Sequence, residues 1–170
     1  MRIVRAEELD TFLKSQNRSK SLAFLKNELV ELNEFCCQFQ MPTSFAKILA
    51  VAKIAMSLLK FDEWALLVVE ERGIWPNFED LHTFNALMMD AGIKSDVSSG
   101  DALMFSKSDS HRIFSYFQLL CNFRWSIRLI VDQRSWHFHV THDDNAIFYS
   151  ESMTSEISKG LELAASDVPG

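Results

Sequence analysis

Three of the five histidines in this chain crowd into eight residues, His137-Phe-His-Val-Thr-His142-Asp143-Asp144. His137 and His139 alternate along an extended segment, so both rings point to one face. A His-x-His pair on a strand supplies two metal ligands, and His142 or Asp143 can add a third from the turn that follows. The other face of the same segment carries Trp136, Phe138 and Val140, which have the character of core. The histidines therefore belong on the outer face of a sheet, beside Ser126 and Arg128 of the preceding strand. A polar, solvated sheet face explains them without a metal, and the expectation is no cofactor and no metal. The set His137, His139 and His142 stands as the metal-binding alternative, and with it a small metal enzyme. On the solvated reading, replacing His137 and His139 by Ala costs little, within about 0.5 kcal/mol.

Other catalytic signatures are missing from the sequence. His111 and His82 have no acid or nucleophile placed nearby for a proton relay. There is no G-x-S-x-G and no Gly-rich phosphate loop, and only five glycines occur in the chain. The acidic residues are more informative. Asp62-Glu63 and Glu70-Glu71 flank one apolar run, Glu79-Asp80 open a helix, and Asp143-Asp144 sit in a turn. Glu79 and Asp80 suit a helix N-terminus electrostatically, and Asp143 and Asp144 suit a turn. Glu70, Glu71, Asp143 and Asp144, with Trp75 as an aromatic anchor, form the candidate partner-binding set. Glu28, Glu31 and Glu34, three apart along a helical pattern, form the alternative set.

Net charge points the same way. Seventeen basic against 23 acidic residues leave −6 over 170 residues, with an isoelectric point near 5.3. Nucleic acids and anionic membrane surfaces are disfavoured, because both are bound through clustered Lys and Arg. A protein partner with a basic surface is favoured. Three cysteines, two of them adjacent, are not a disulfide framework. The N-terminal MRIVRAEELD has no apolar core of a secretory signal. The most apolar stretch, 45–59, is too short for a bilayer and carries Lys47 and Lys53. A cytoplasmic location is expected.

The elements that must position these groups follow from periodicity. Glu7 to Ser15 places Leu9, Phe12 and Leu13 on one helical face. Leu22, Leu25, Leu29, Leu32, Cys36 and Phe39 recur at three and four, which predicts a helix from Lys20 to about Gln38. Pro42 stops it, and Thr43 or Ser44 caps a largely buried helix from Phe45 to Lys60. Trp64 to Val69 is a continuous apolar run, the mark of a strand covered on both faces. Further helices are expected from Asn77 to Gly92 and from Ser108 or Asp109 to Cys121. Strands are expected at 64–70, 102–106, 125–132, 136–141 and 146–150, with Asn145 taking the left-handed turn conformation. The fold class is α+β: N-terminal helices, then β-α-β-α-β-β-β. They form a mixed five-stranded sheet with an antiparallel C-terminal meander and helices mainly on one face. A single domain covers 1–150, helical over 1–61 and sheet-forming over 62–150. A C-terminal tail, 151–170, holds one weak helix near 156–164 and is otherwise frayed or disordered.

Gly73-Ile-Trp-Pro76 before a helix, followed later by the Thr141-His-Asp-Asp144 hairpin, resembles small cytoplasmic proteins of bacterial toxin–immunity loci. The resemblance covers Trp64 to Tyr149. It implies a stoichiometric inhibitor without catalysis that binds a cognate toxin domain, and it assigns no residue by matching. An acidic surface suits the masking of a basic active site. An adaptor that joins a larger assembly through the N-terminal helices is the remaining alternative.

Overall fold

The computed structural model describes residues 1–17, 36–58, 60–72, 78–132, 136–150 and 153–166. Among them are seven strands: β1 (Arg2–Val4), β2 (Cys36–Gln40), β3 (Trp64–Glu71), β4 (Ala102–Ser106), β5 (Ser126–Val131), β6 (Trp136–Val140) and β7 (Asn145–Ser150). Five helices accompany them: α1 (Ala6–Ser15), α2 (Phe45–Leu58), α3 (Phe78–Asp90), α4 (Ser110–Asn122) and α5 (Ser155–Ala165). The strands make one sheet in the order β1-β4-β3-β5-β6-β7-β2.

The α+β class holds, but the sheet has seven strands and not five, and it is antiparallel and not mixed. The chain leaves β3 for α3 and comes back to the end it left. The Gly100 N–H donates to Val69 O (2.7 Å) and the Val69 N–H to Asp101 O (3.0 Å). Strand β4 therefore starts beside the end of β3 and runs against it. Gly100 has φ +88°, and a Cβ there would lie 3.2 Å from the Ala6 Cβ, so glycine suits both the backbone and the close approach.

Two strands lie in the part expected to be helical. Cys36–Gln40 is an edge strand on β7, with Cys37 and Phe39 buried and Gln38 and Gln40 exposed. The spacing of Cys36 and Phe39 fits a helix, yet the five residues also alternate at period two. A window this short does not decide between the periods. The rest of the helix expected over 20–38 lies outside the described residues. β1, only three residues, pairs with β4 at the opposite edge.

The first face of the sheet carries the main core. Leu67, Leu103, Phe105, Leu129, Phe138 and Phe148 pack there with α2, α3, α4 and α5. Ser44 caps α2 by accepting the Lys47 N–H (3.4 Å). α3 closes with a Schellman turn: Gly92 at φ +78° donates to Met89 O and Ile93 to Met88 O. α5 is capped by Thr154 and buries Leu161 and Ala165 in this core, so the segment beyond residue 150 contributes to it.

α1 covers part of the second face, with Leu9 and Leu13 on Trp64, Leu66 and Val68. Phe12 meets Trp64 edge to face at 5.2 Å. Asp101, buried in the loop before β4, caps α1 from a distance. It accepts from the Ala6 N–H (3.0 Å), from Arg5 (2.7 Å) and from the Ser98 N–H (2.9 Å). Burial alone would raise the Asp101 pKa, but these donors outweigh it and hold the carboxyl below its ordinary range.

Candidate functional site

Glu70 and Glu71 end β3, and a β-bulge decides where they point. Val69 pairs with Ile127 and Glu71 with Ser126, so one residue of β3 is unmatched. Ordinary pleating would send consecutive side chains to opposite faces. The bulge instead puts Glu71 opposite Ser126, and both glutamates meet groups of the second face: Glu70 meets Arg128 and His139, Glu71 meets His142.

Glu70 Oε1 accepts from Arg128 Nε at 2.6 Å, and Glu70 Oε2 lies 3.0 Å from His139 Nε2. The Arg128 side chain is 3% exposed and that of Glu70 28%. Burial pushes the Glu70 pKa up, but the His139 bond and the Arg128 charge outweigh it, and the net shift is downward. The expectation of a solvated face is corrected here. Arg128 and His137 are buried, and His137 packs against Tyr149 with ring centroids 5.6 Å apart. The two histidines do share the face opposite Phe138 and Val140, as their alternation implied.

Glu71 has a different environment. Its Oε2 lies 2.8 Å from His142 Nδ1, and the other ring nitrogen, Nε2, lies 3.5 Å from Asp143 Oδ1. Glu71 is 54% exposed and Asp143 71%. His142, Asp143 and Asp144 are the three loop residues of the β6–β7 hairpin. The Thr141 N–H donates to Asn145 O (2.8 Å) and the Asp144 N–H to Thr141 O (3.1 Å). Asp144, not Asn145, takes the left-handed conformation, with φ +62°, as a three-residue hairpin loop requires at its last position. Its half-buried carboxylate pairs with Arg124 at 3.1 Å. β2 fixes the tip from beside it: Gln40 Nε2 donates to Asp143 O (3.2 Å) and the Met41 N–H to Asp144 O (2.6 Å).

The structure thus brings Glu71, Asp143 and Asp144 to one end of the sheet and directs Glu70 into an internal network. Trp75, Glu28, Glu31 and Glu34 lie outside the described residues. The other acidic pairs do not join this end. Asp62-Glu63 stand before β3, about 26 Å from Glu70 at strand rise. There their backbone N–H groups, with that of Trp64, are held by the Asp132 carboxylate. Glu79 and Asp80 occupy the first turn of α3. A cleft of about 590 Å³ runs along α3, and the described residues lining it, Glu79, Leu81, His82, Thr83 and Asn85, are separate from the hairpin end.

His137, His139 and His142 have different neighbours: the first packs on Tyr149, the second meets Glu70 and the third meets Glu71. Among the described residues no group of three or more His, Cys, Asp or Glu side chains is arranged to hold a metal ion. A nucleophilic relay is also poorly served. Ser126 Oγ lies 3.1 Å from His142 Nδ1, and it accepts the His142 backbone N–H at 3.0 Å. A relay needs the serine and the acid on opposite ring nitrogens. Here Glu71 crowds Nδ1 beside the serine, Asp143 stands at the opposite nitrogen but at 3.5 Å and well exposed, and Ser126 is buried.

The sequence singles out the carboxylates and places Ser126 beside the histidines, but it does not show the bulge, the Arg124 pair or the position of His142 between two acids. The one available signal was His142 standing directly before Asp143-Asp144. Comparison with protein families, curated proteins and solved structures gave no match to this chain. Among the described residues no helix is long and apolar enough to cross a membrane.

Proposed function

We propose that the chain is a non-catalytic protein-binding module, a cytoplasmic inhibitor of the immunity kind that covers a basic surface of a cognate toxin domain. One observation carries this reading. Two carboxylates distant in sequence, Glu71 and Asp143, stand well exposed on either side of one imidazole at a rigid end of the sheet. Recognition groups on a loop held by a scaffold suit binding. A partner Arg or Lys approaching the exposed oxygens of either carboxylate would meet acceptors already in place, at little ordering cost. Asp144 is partly neutralised by Arg124, so it belongs to the rim. Glu70 anchors the frame beneath. The net charge of −6 supports electrostatic steering toward a basic protein and away from nucleic acid. No cofactor takes part in this reading.

The test is co-expression with the product of the gene next to this one. The reading expects protection of the host cell from a toxic domain encoded there, and a 1:1 complex on size exclusion. A harmless neighbouring product, or a toxic one that forms no complex with this chain, would remove the inhibitor reading.

A further inference from the structure

We propose that His142 is a proton-operated clasp on the acidic end of the sheet, holding one carboxylate when neutral and both when protonated. What the clasp regulates, the attraction for a basic partner, rests on the binding reading above; the clasp itself does not.

An ionised carboxylate only accepts hydrogen bonds, so a ring nitrogen next to one is satisfied only when it carries a proton. Neutral imidazole has one N–H for two nitrogens. Nδ1 lies 2.8 Å from Glu71 Oε2 and Nε2 3.5 Å from Asp143 Oδ1. Nδ1 also has Ser126 Oγ at 3.1 Å, but the shorter contact is to a carboxylate that cannot donate, so the neutral ring places its proton on Nδ1 and the Nε2 lone pair faces the Asp143 carboxylate. Addition of one proton at Nε2 turns that opposed contact into a charge-assisted hydrogen bond. The local charge of Glu71, His142 and Asp143 then changes from −2 to −1.

The groups facing this imidazole are Glu71 from the end of β3, Ser126 from β5 and Asp143 from the hairpin itself. Arg124 lies one residue further, on Asp144. Ser126 Oγ accepts the His142 main-chain N–H and also lies 3.1 Å from ring Nδ1, so one hydroxyl touches both the backbone and the ring. Asp143 has the exposure needed to move. Because the β2 bonds reach Asp143 and Asp144 through their main-chain oxygens, closing the clasp moves the carboxylate and leaves the loop in place. Histidine is the side chain suited to such a change between pH 5 and 8.

Two measurements on the full chain test this separately. The first is nitrogen-15 and carbon-13 NMR from pH 8 to pH 5. The clasp expects the Nδ1–H form of His142 at pH 8, and an Asp143 carboxyl signal that shifts with the same midpoint as His142. In Glu71→Gln the preference for the Nδ1–H form weakens. An Nε2–H form at pH 8, or an Asp143 signal indifferent to His142, overturns the clasp. The second is binding of a deca-arginine peptide at constant ionic strength. Affinity of the wild type should fall about threefold more between pH 8 and pH 5.5 than that of His142→Gln, the size of one exposed ion pair. Equal pH dependence in both proteins, with binding retained, means that the clasp does not gate attraction and overturns its regulatory role. A positive NMR result with no peptide binding at either pH leaves the clasp standing and sinks the basic-partner reading instead.

Discussion

Replacing Glu70 by Ala removes a carboxylate that serves both Arg128 and His139. Breaking a buried ion pair from one side costs about 3–5 kcal/mol, mainly because the remaining charge stays desolvated. Glu70 is 28% exposed against 3% for Arg128, so water entering the vacated site recovers part of this, and the expected loss is about 2–4 kcal/mol. With a urea slope of about 2 kcal/mol/M for a chain of this size, the midpoint falls by about 1–2 M. Adding Arg128→Met to Glu70→Ala should restore at least half of the loss, since no buried charge is then stranded. Acid titration supplies an independent readout. The folded-state pKa of Glu70 lies below its ordinary 4.5, so its stabilising contribution is present above that value and disappears as pH falls through the depressed one. The stability gap between wild type and Glu70→Gln should therefore hold at neutral pH and close in acid. A loss under 0.5 kcal/mol for Glu70→Ala, or a gap that widens in acid, would refute the account of this network.

Asp132→Ala should cost about 2–4 kcal/mol in the same assay, because three backbone N–H groups at the start of β3 lose one buried acceptor. Arg124 follows the end of α4 with φ +55°, so Arg124→Gly should raise thermal stability by about 0.5–1 kcal/mol, less the exposed pair with Asp144. Joint replacement of His137 and His139 by Ala, expected from sequence to be nearly neutral, should instead cost about 1–3 kcal/mol in chemical denaturation, since one ring is buried on Tyr149 and the other bonded to Glu70.

What was legible in the sequence depended on length and on locality. The eight residues of β3 hold a continuous apolar run and the stripe of α1 recurs over ten, while β6, though only five residues long, alternates without also fitting a helical stripe. Cys36–Gln40 was misread because five residues satisfy both periods. β1 was missed because three residues satisfy none. The second face of the sheet looked solvated because Ser126, Arg128, His137 and His139 are polar. Arg128 and His139 are paired by Glu70 arriving from another strand, and His137 is covered by Tyr149 of another, long-range facts that no local window contains. The same holds for the candidate site. Glu70 and Glu71 stood out as a pair, but only the bulge after Val69 sends both to one face, and a bulge leaves no mark on residue types.

The most direct test of the central claim is the affinity of the chain for the proposed toxin partner with each acidic set reversed. Calorimetric titration should show Glu71→Lys with Asp143→Lys weakening the complex at least tenfold, about 1.4 kcal/mol, with the fold intact by circular dichroism. Reversal of Glu28, Glu31 and Glu34 should change it less than about threefold. The opposite pattern, or no effect from either set beyond about threefold, would contradict recognition through the acidic end of the sheet.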